Sequence, residues 1–564
     1  VKTNNGFKVV GPSSQKVAFA QPDEKVVYFD LEVGDINGIG KVTVTATSGK
    51  EKASYDVEID VMNPNPVTVN YKELVLEPGK SATIGWEAFG VSGTNKAVLE
   101  VSSFPSIDFN RRLDYLIQYP HGCLEQVTSG AFPQLYLADI ADIDQSRKNK
   151  IQKNVTAAIQ KLSQYQVANG GFSYWPGNMT PDDWGSSYVG HFFIEAERKG
   201  YALPMNAKKQ WLAYQSKTAK QWRYNEGYHN DFAQAYRLYT LALAGSPDIS
   251  SMNRLRETGG ISNESKLRLA AAYALAGQKN VGLKLLNQSS IEPDDSRYQY
   301  YYYGSSERNR AMALETLLLL GQKEKAFAMA NKLAKQMSSD QWMSTQTTAY
   351  CLYAISKFAQ GNGPKGIDIQ YTVKGKSATI TTAKTFADRV LSADGKTVSI
   401  RNNKKSTLYV KVVYSGVLPI GQEQVEQRGL GTDIVFKDRK GQVINPSVLS
   451  QGTEFIAEVT ISNLKNESVD NVALMQIIPS GWEIVNTRFT DFGDFADNKV
   501  DYTDIRDDRT NFYFPLKANE SKTFRILLNA SYPGEYYLPG VQCEAMYDNS
   551  FLARTQGQWI KVVR

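Results

Sequence analysis

The stretch YPHGCLEQVTSG, residues 119–130, holds one of only three cysteines in 564 residues, with a glutamine three positions further on. Residues three apart on a helix share one face. Pro120 and Gly122 fit a turn that opens into a helix over LEQVTSGAFPQLYL. A cysteine at a helix start is biased toward thiolate by the helix dipole. A carboxamide held against that thiolate is open to attack: ammonia leaves, and a thioester closes between the side chains of Cys123 and Gln126. Such an acyl group lasts only while water and amines are kept away. Once exposed, it acylates a lysine or a hydroxyl, which is nucleophilic chemistry stored in advance and used once. The pattern Cys-x-Glu-Gln arises by chance in about one such chain in a hundred, so its meaning depends on the elements around it.

Composition narrows the alternatives. Apolar residues make up 42%, charged residues 22% and aromatics 11% of the chain, an ordinary globular mixture enriched in tyrosine. The net charge of +6 is spread through interspersed acids and bases, so no nucleic-acid footprint is expected. Cys351 and Cys543 lie in apolar contexts and read as buried thiols. The histidines, His121, His191 and His229, are too few and scattered for a zinc site, so neither metal nor cofactor is implied. No apolar run approaches the ~20 residues of a membrane span, so membrane insertion is not expected. The opening VKTNNGFKVV carries neither Met nor a signal peptide and is expected to belong to a fragment or a mature product.

The elements that must position the pair follow from periodicity. Period-two alternation places Val42, Val44 and Ala46, then Val57, Ile59 and Val61, on one face of a sheet whose other face is wet. The segment MNPNP, 62–66, then breaks the chain. Strand-like segments resume to about residue 103. From ~108 to ~360 apolar residues recur at helical spacing, and helices end at Gly245, Gly277 and Gly321, which suggests stacked helical hairpins. After GNGPKG, 361–366, strands return. Neither flanking β segment covers a core alone, so the helices are expected to be inserted into one β domain. A final β domain follows, with Phe455, Ala457, Val459 and Ile461 alternating inward.

In this setting the sequence resembles the C-terminal part of the alpha-2-macroglobulin and complement thioester proteins, and is most similar to their bacterial branch. YPHGCLEQ resembles that branch's thioester signature, in which Gly122, Leu124 and Glu125 support the pair. NGGFSYWPG, 169–177, resembles the glycine-aromatic turn of its thioester domain, and 305–321 and 342–355 resemble its later helices. The resemblance implies a multidomain fold. It begins with a macroglobulin-like β domain over 1–65. A CUB-like β domain is split between 66–104 and 364–419 around an α/α toroid thioester domain at 105–363. A macroglobulin-like β-sandwich over 420–564 ends the chain. It also implies that the thioester is shielded by Tyr119 and by Met546. The alternation in GVQCEAMY agrees for Met546: Val541, Cys543 and Ala545 share one face, whereas Met546 points away from its own core as an exposed, flexible thioether.

The family reading implies a protease trap rather than an enzyme with turnover. A protease cuts a bait segment, the molecule rearranges, and a protease lysine is acylated. The expected partners are target proteases and the N-terminal macroglobulin domains and bait region of the same protein. The expected location is the periplasm or cell surface, through a lipid anchor outside this chain. His121 stands where the family commonly has an aromatic and either replaces that ring or polarises the thioester. His229 falls in the half of the domain where complement-type members keep an acyl-transfer histidine, but close to the following helix. His191 reads as core. The competing readings are a cysteine acyltransferase with a histidine base, a toroid cyclase, and an adhesin that uses the same thioester to tether to a host surface.

Overall fold

A computed structural model describes the chain except residues 35, 106, 119–121, 226–229, 294–301, 304, 340, 362–365, 395, 424 and 486–499, and the side chain at 118. Its fold class is the one expected, β-sandwich domains with an α/α toroid. The N-terminal sheet pairs Lys2–Thr3, Gly38–Ser48 and Glu51–Val61. Here the sequence expectation needs correction. Val42 is buried, but Val44 and Ile59 on the apolar face remain exposed. A neighbouring two-stranded sheet, Phe7–Val10 with Asp30–Val33, is too small to cover that face.

The next sandwich is built from segments on both sides of the helices. One sheet runs in the order Val67–Leu76, Leu408–Val417, Lys96–Ser102, Phe386–Leu391 and Ala141–Asp142; the other runs Lys376–Thr382, Ile367–Val373, Thr397–Asn402 and Ser81–Gly85. Leu408–Val417 pairs antiparallel with Val67–Leu76 along its whole length, from Leu408 opposite Leu76 to Val417 opposite Val67. The two sheets close on Leu99, Val101, Ile369, Ile400 and Val412. Ala141–Asp142 comes from within the helical block and adds to this sheet in parallel with Phe386 and Ala387.

The helices form two shells. Leu124–Ala131, Asp183–Arg198, Asp231–Leu243, Asn263–Leu275, Ser306–Leu319 and Thr345–Gly361 each touch the next, and the last touches the first. These helices are buried on most faces, as an inner ring requires. An outer helix such as Gln145–Ser163 buries only one stripe, Ile151, Val155, Ile159 and Leu162. Starts are capped by side chains: Asp144, Asp182, Asp248, Ser262 and Ser305 each accept from the amide three residues on. Stops use Gly245, Gly277 and Gly321 at positive φ, and the residue after each bonds back to Leu241, Tyr273 and Leu317 in a Schellman closure.

A polar axis fills the ring. Arg268 pairs with Glu315 at 2.7 Å. Glu315 also accepts from the Tyr239 and Tyr353 hydroxyls at 2.5 and 2.7 Å. Burial is the largest single effect and opposes ionisation of Glu315, but the Arg268 charge and the Tyr239 and Tyr353 hydroxyls together outweigh it and hold the carboxyl down to about 2. His191, fully buried here, bonds to Tyr236 and Tyr353, and burial lowers its pKa to about 4. It is a neutral core residue.

The ring is fastened to the split sandwich by buried charge. Asp108, just before the helix Phe109–Gln118, bonds both Lys411 on Leu408–Val417 and Arg111. Lys411 also reaches Glu73 at 2.8 Å. Removing one partner of a buried pair leaves an uncompensated charge and costs about 3 kcal/mol. Lys411→Met is therefore expected to lower the urea midpoint of the transition that separates toroid from sandwich, whereas Lys374→Met, which breaks an exposed pair with Asp394, is expected to leave it within error. Equal midpoints for the two variants would refute the anchoring role.

Candidate functional site

Cys123 is the N-cap of the helix Leu124–Ala131, with extended backbone at φ −68° and ψ 163°. The amide of Leu124 is satisfied by the Tyr174 carbonyl at 3.0 Å, and the Gly122 carbonyl accepts from the Tyr165 hydroxyl. These bonds tie the turn before the helix to the aromatic turn NGGFSYWPG. Leu124 is fully buried and leans on Gly185, where a Cβ would come within 2.5 Å of Leu124 Cδ2. A Cβ on Gly122, by contrast, would meet only the flexible end of Lys161.

Cys123 and Gln126 are both buried, and the cover comes from the C-terminal sandwich. That sandwich carries the hairpin Gln542–Ala545 and Asp548–Arg554, whose turn presents Met546 and Tyr547. The Gln126 Nε2 donates to Met546 Sδ at 3.1 Å. Met546 shares an apolar cluster with Cys123, Trp175, Ala473 and Tyr513, with Tyr174, Tyr502 and Tyr547 packed around it. Trp175 stacks on Tyr502 at 4.7 Å and 11°, and Tyr174 stacks on Tyr303 at 5.2 Å. Met546 does leave its own core, but it is not exposed: it is wholly buried against Cys123 and Gln126. The sequence pattern reveals which face a side chain takes, not what another domain lays over it.

The thiolate expectation is also overturned. Burial pushes the Cys123 thiol up to about 12, and the nearby Glu125 carboxylate adds to this; the Tyr174 and Tyr547 hydroxyls and the Gln126 amide oppose it too weakly. A helix N-terminus favours the thiolate only where water or charge helps to solvate it. The Gln126 Oε1 is buried without a hydrogen-bond partner among the described residues, so nothing polarises that carbonyl in this state.

Glu125 is the polar hub. Its carboxylate accepts from Ser129 on its own helix, from Thr345 Oγ1 at 2.7 Å and from Tyr547 at 2.9 Å. Thr345 begins the last inner helix, so closure of the ring brings it here. Tyr547 Oη also lies 2.7 Å from Tyr174 Oη and 3.5 Å from Cys123 Sγ. Of the residues singled out from sequence, the structure gathers Cys123, Gln126, Leu124, Glu125 and Met546. Tyr119, His121 and His229 lie outside the described residues. Sequence reasoning missed Tyr547, Tyr303, Tyr502 and Tyr513, and gave Tyr174 and Trp175 no role of their own. The high tyrosine content, 32 residues, was the available signal.

Two family models match the two sides of this contact. The A-macroglobulin TED domain covers 97–229, which includes Cys123 and Gln126, and the Bacterial Alpha-2-macroglobulin MG10 domain covers 433–549, which includes Met546 and Tyr547. The curated alpha-2-macroglobulin of Escherichia coli K12 is 25% identical over 88% of this chain, and the homolog of Yersinia pestis 21% over 98%. In both matched regions the chain is similar to bacterial alpha-2-macroglobulins. It spans about a third of the length of these relatives, 32% and 29%. In fold it matches native Escherichia coli alpha-2-macroglobulin from domain MG7 to the C-terminus, with TM-score 0.84 and 20% identity over all of this chain and 93% of that one. It matches equally well a Salmonella alpha-2-macroglobulin reacted with methylamine, with TM-score 0.84 and 22% identity over 38% of that chain.

Burial raises the Glu125 pKa to about 7 from an ordinary 4.5, with its hydroxyl donors and Arg308 opposing. Between those values the folded chain binds the proton more readily than the unfolded one. The stability Glu125 contributes is thus present below about 4.5 and lost as pH rises through about 7. Glu125→Gln removes that loss. Relative to wild type, the variant is expected to gain about 3 kcal/mol between pH 4.5 and 7.5. Parallel urea titrations across that range check it, and a pH-independent difference would contradict it.

Proposed function

We propose that Cys123 Sγ and Gln126 Cδ form an internal thioester, and that this chain is the acylating end of a protease trap. The reading rests chiefly on one observation: the pair sits buried at one helix start, with Gln126 against Met546 on a hairpin more than 400 residues away in the chain. Closure of the bond adds the sulfur to the amide carbon and expels the amide nitrogen, with the thiol proton, as ammonia. Three features favour its survival. The cluster around it is apolar, the Gln126 carbonyl oxygen has no donor among the described residues to stabilise an oxyanion, and the entry is filled by Met546.

Release then requires that the C-terminal sandwich move off the toroid. In this reading cleavage of a bait segment, in the N-terminal region of the longer protein, triggers that movement. A lysine amine of the protease attacks the carbonyl, an amide forms, the C–S bond breaks, and Cys123 leaves as a thiol. The trap is spent after one event, so it inhibits without turnover. Its partners are proteases and the N-terminal macroglobulin domains, and its location is the periplasm or cell surface with a lipid anchor on the longer protein. Gly122, Leu124, Glu125 and Tyr119 support or shield the bond alongside Met546. Neither His121 nor His229 is needed for transfer to an amine. The 1–65, 66–104, 105–363, 364–419 and 420–564 division serves as the domain plan. The reaction of the Salmonella relative with methylamine is consistent with a site that takes small amines.

The test is the mass of the peptide carrying Cys123 to Gln126. It is expected to be short by the mass of ammonia, and methylamine is expected to add at Gln126 and free one thiol. An intact glutamine beside a free thiol in fresh protein would end the proposal. Met546→Ala opens a cavity in the cover, a change worth about 2–5 kcal/mol in a packed core. Methylamine is then expected to react roughly tenfold faster or more. An unchanged rate would show that Met546 is not the shield.

A further inference from the structure

The neutral Cys123 thiol poses a problem that the proposed thioester leaves open: something must take its proton before the sulfur can attack. Among the described residues the groups that bond the sulfur are the hydroxyls of Tyr547 and Tyr174. Only Tyr547 is also bonded to a carboxylate, that of Glu125. We infer that Tyr547 passes the Cys123 proton to Glu125 as the thioester closes, so that the C-terminal sandwich helps to make the bond it then protects.

Hydrogen-bond direction supports this. An ionised carboxylate only accepts, so Tyr547 spends its single O–H on Glu125 Oε2 at 2.9 Å. Its oxygen is then left to accept from Tyr174 and from the Cys123 S–H, at 2.7 and 3.5 Å. The thiol proton already faces the oxygen that must receive it. Ser129 holds the other carboxylate oxygen, Oε1, and Thr345 donates to Oε2 beside Tyr547, which fixes Glu125 against Tyr547. Tyr547 is pinned by its ring contact with Tyr303 at 5.0 Å.

The step balances without any outside reagent. The thiol proton moves to the Tyr547 oxygen while the Tyr547 proton moves to Glu125, and Sγ bonds to Gln126 Cδ. Collapse of the adduct breaks the C–N bond. Glu125 returns its proton to Tyr547, and the proton passed on from Tyr547 completes the departing nitrogen, which leaves as ammonia. Tyr547 touches the reacting sulfur; Glu125 acts through it. Because Tyr547 arrives on the hairpin turn after Ala545, closure waits for docking of the sandwich. Undocking withdraws cover and relay together, so a site once opened does not re-form.

A pH profile separates this role from packing. Facing Glu125 are Arg308, Tyr115, Tyr188, Tyr303, Tyr547 and Cys123. Arg308 stays charged, with a pKa of about 10, and the tyrosines and the cysteine stay neutral well above pH 8. Glu125 is the member of this set that changes charge near pH 7.

The experiment, which rests on the thioester reading, refolds the whole chain at pH 5–8. The reaction is quenched at intervals, thiols are alkylated, and the fraction of Cys123–Gln126 peptide short by ammonia is followed. Wild type is expected to close more slowly as pH falls below about 7. Tyr547→Phe and Glu125→Gln are expected to close about a hundredfold more slowly and to lose the pH dependence. Glu125→Asp is expected to regain part of both. Hydrogen exchange across Leu124–Ala131 reports docking in every variant. Closure of Tyr547→Phe at the wild-type rate and pH profile would overturn the relay while leaving the thioester intact. Slow closure that tracks lost docking in both variants would overturn it in favour of packing. Wild type that never loses ammonia would overturn the thioester itself.

Discussion

The structure depends on the contact between one hairpin turn and one helix start. Met546 and Tyr547 meet Cys123, Glu125 and Gln126 across more than 400 residues of sequence, with Met546 on the glutamine and Tyr547 on the glutamate and the cysteine. Neither side is finished without the other. Without the sandwich, the helix would expose an apolar cluster and a reactive pair. Without the helix, Met546 would stand in water. An interdomain contact of this kind is stable while docked and lost as a unit when one domain moves.

The rest of the architecture holds that helix start in place. Closure of the inner ring puts Thr345 against Glu125, and Leu124 is seated by the absence of a side chain at Gly185. The buried axis of Arg268, Glu315 and the surrounding tyrosines keeps the ring rigid through charge-assisted bonds. Asp108 and Lys411 fix the ring to a sandwich whose strands come from both sides of it. In the proposed trap, a rigid toroid and a detachable cover would give the site two discrete states rather than a range of partial exposures.

Much of this was legible in local sequence. The Cys123–Gln126 spacing can be read because the chemistry needs one helix face. Gly245, Gly277 and Gly321 can be read because only glycine takes positive φ cheaply at a helix end. Phe455, Ala457, Val459 and Ile461 can be read because a buried face demands alternation. What failed was whatever depends on distant partners. The dipole argument for a Cys123 thiolate lost to burial imposed by another domain. The strand Ala141–Asp142 is too short to show a period. The apolar face of Val44 and Ile59 looks like a core pattern but has no cover among the described residues. Tyr547 stood beside a residue already singled out, but hydrogen-bond partnership leaves no mark on sequence.

The central claim is that the dry contact stores a covalent bond and is not only packing. The most direct measurement is a high-resolution density map of the docked chain at the start of the helix Leu124–Ala131. The account predicts continuous density from Cys123 Sγ to Gln126 Cδ, no side-chain nitrogen on Gln126, and Met546 and Tyr547 seated over the bond. A separate thiol and an intact carboxamide beneath the same cover would contradict it.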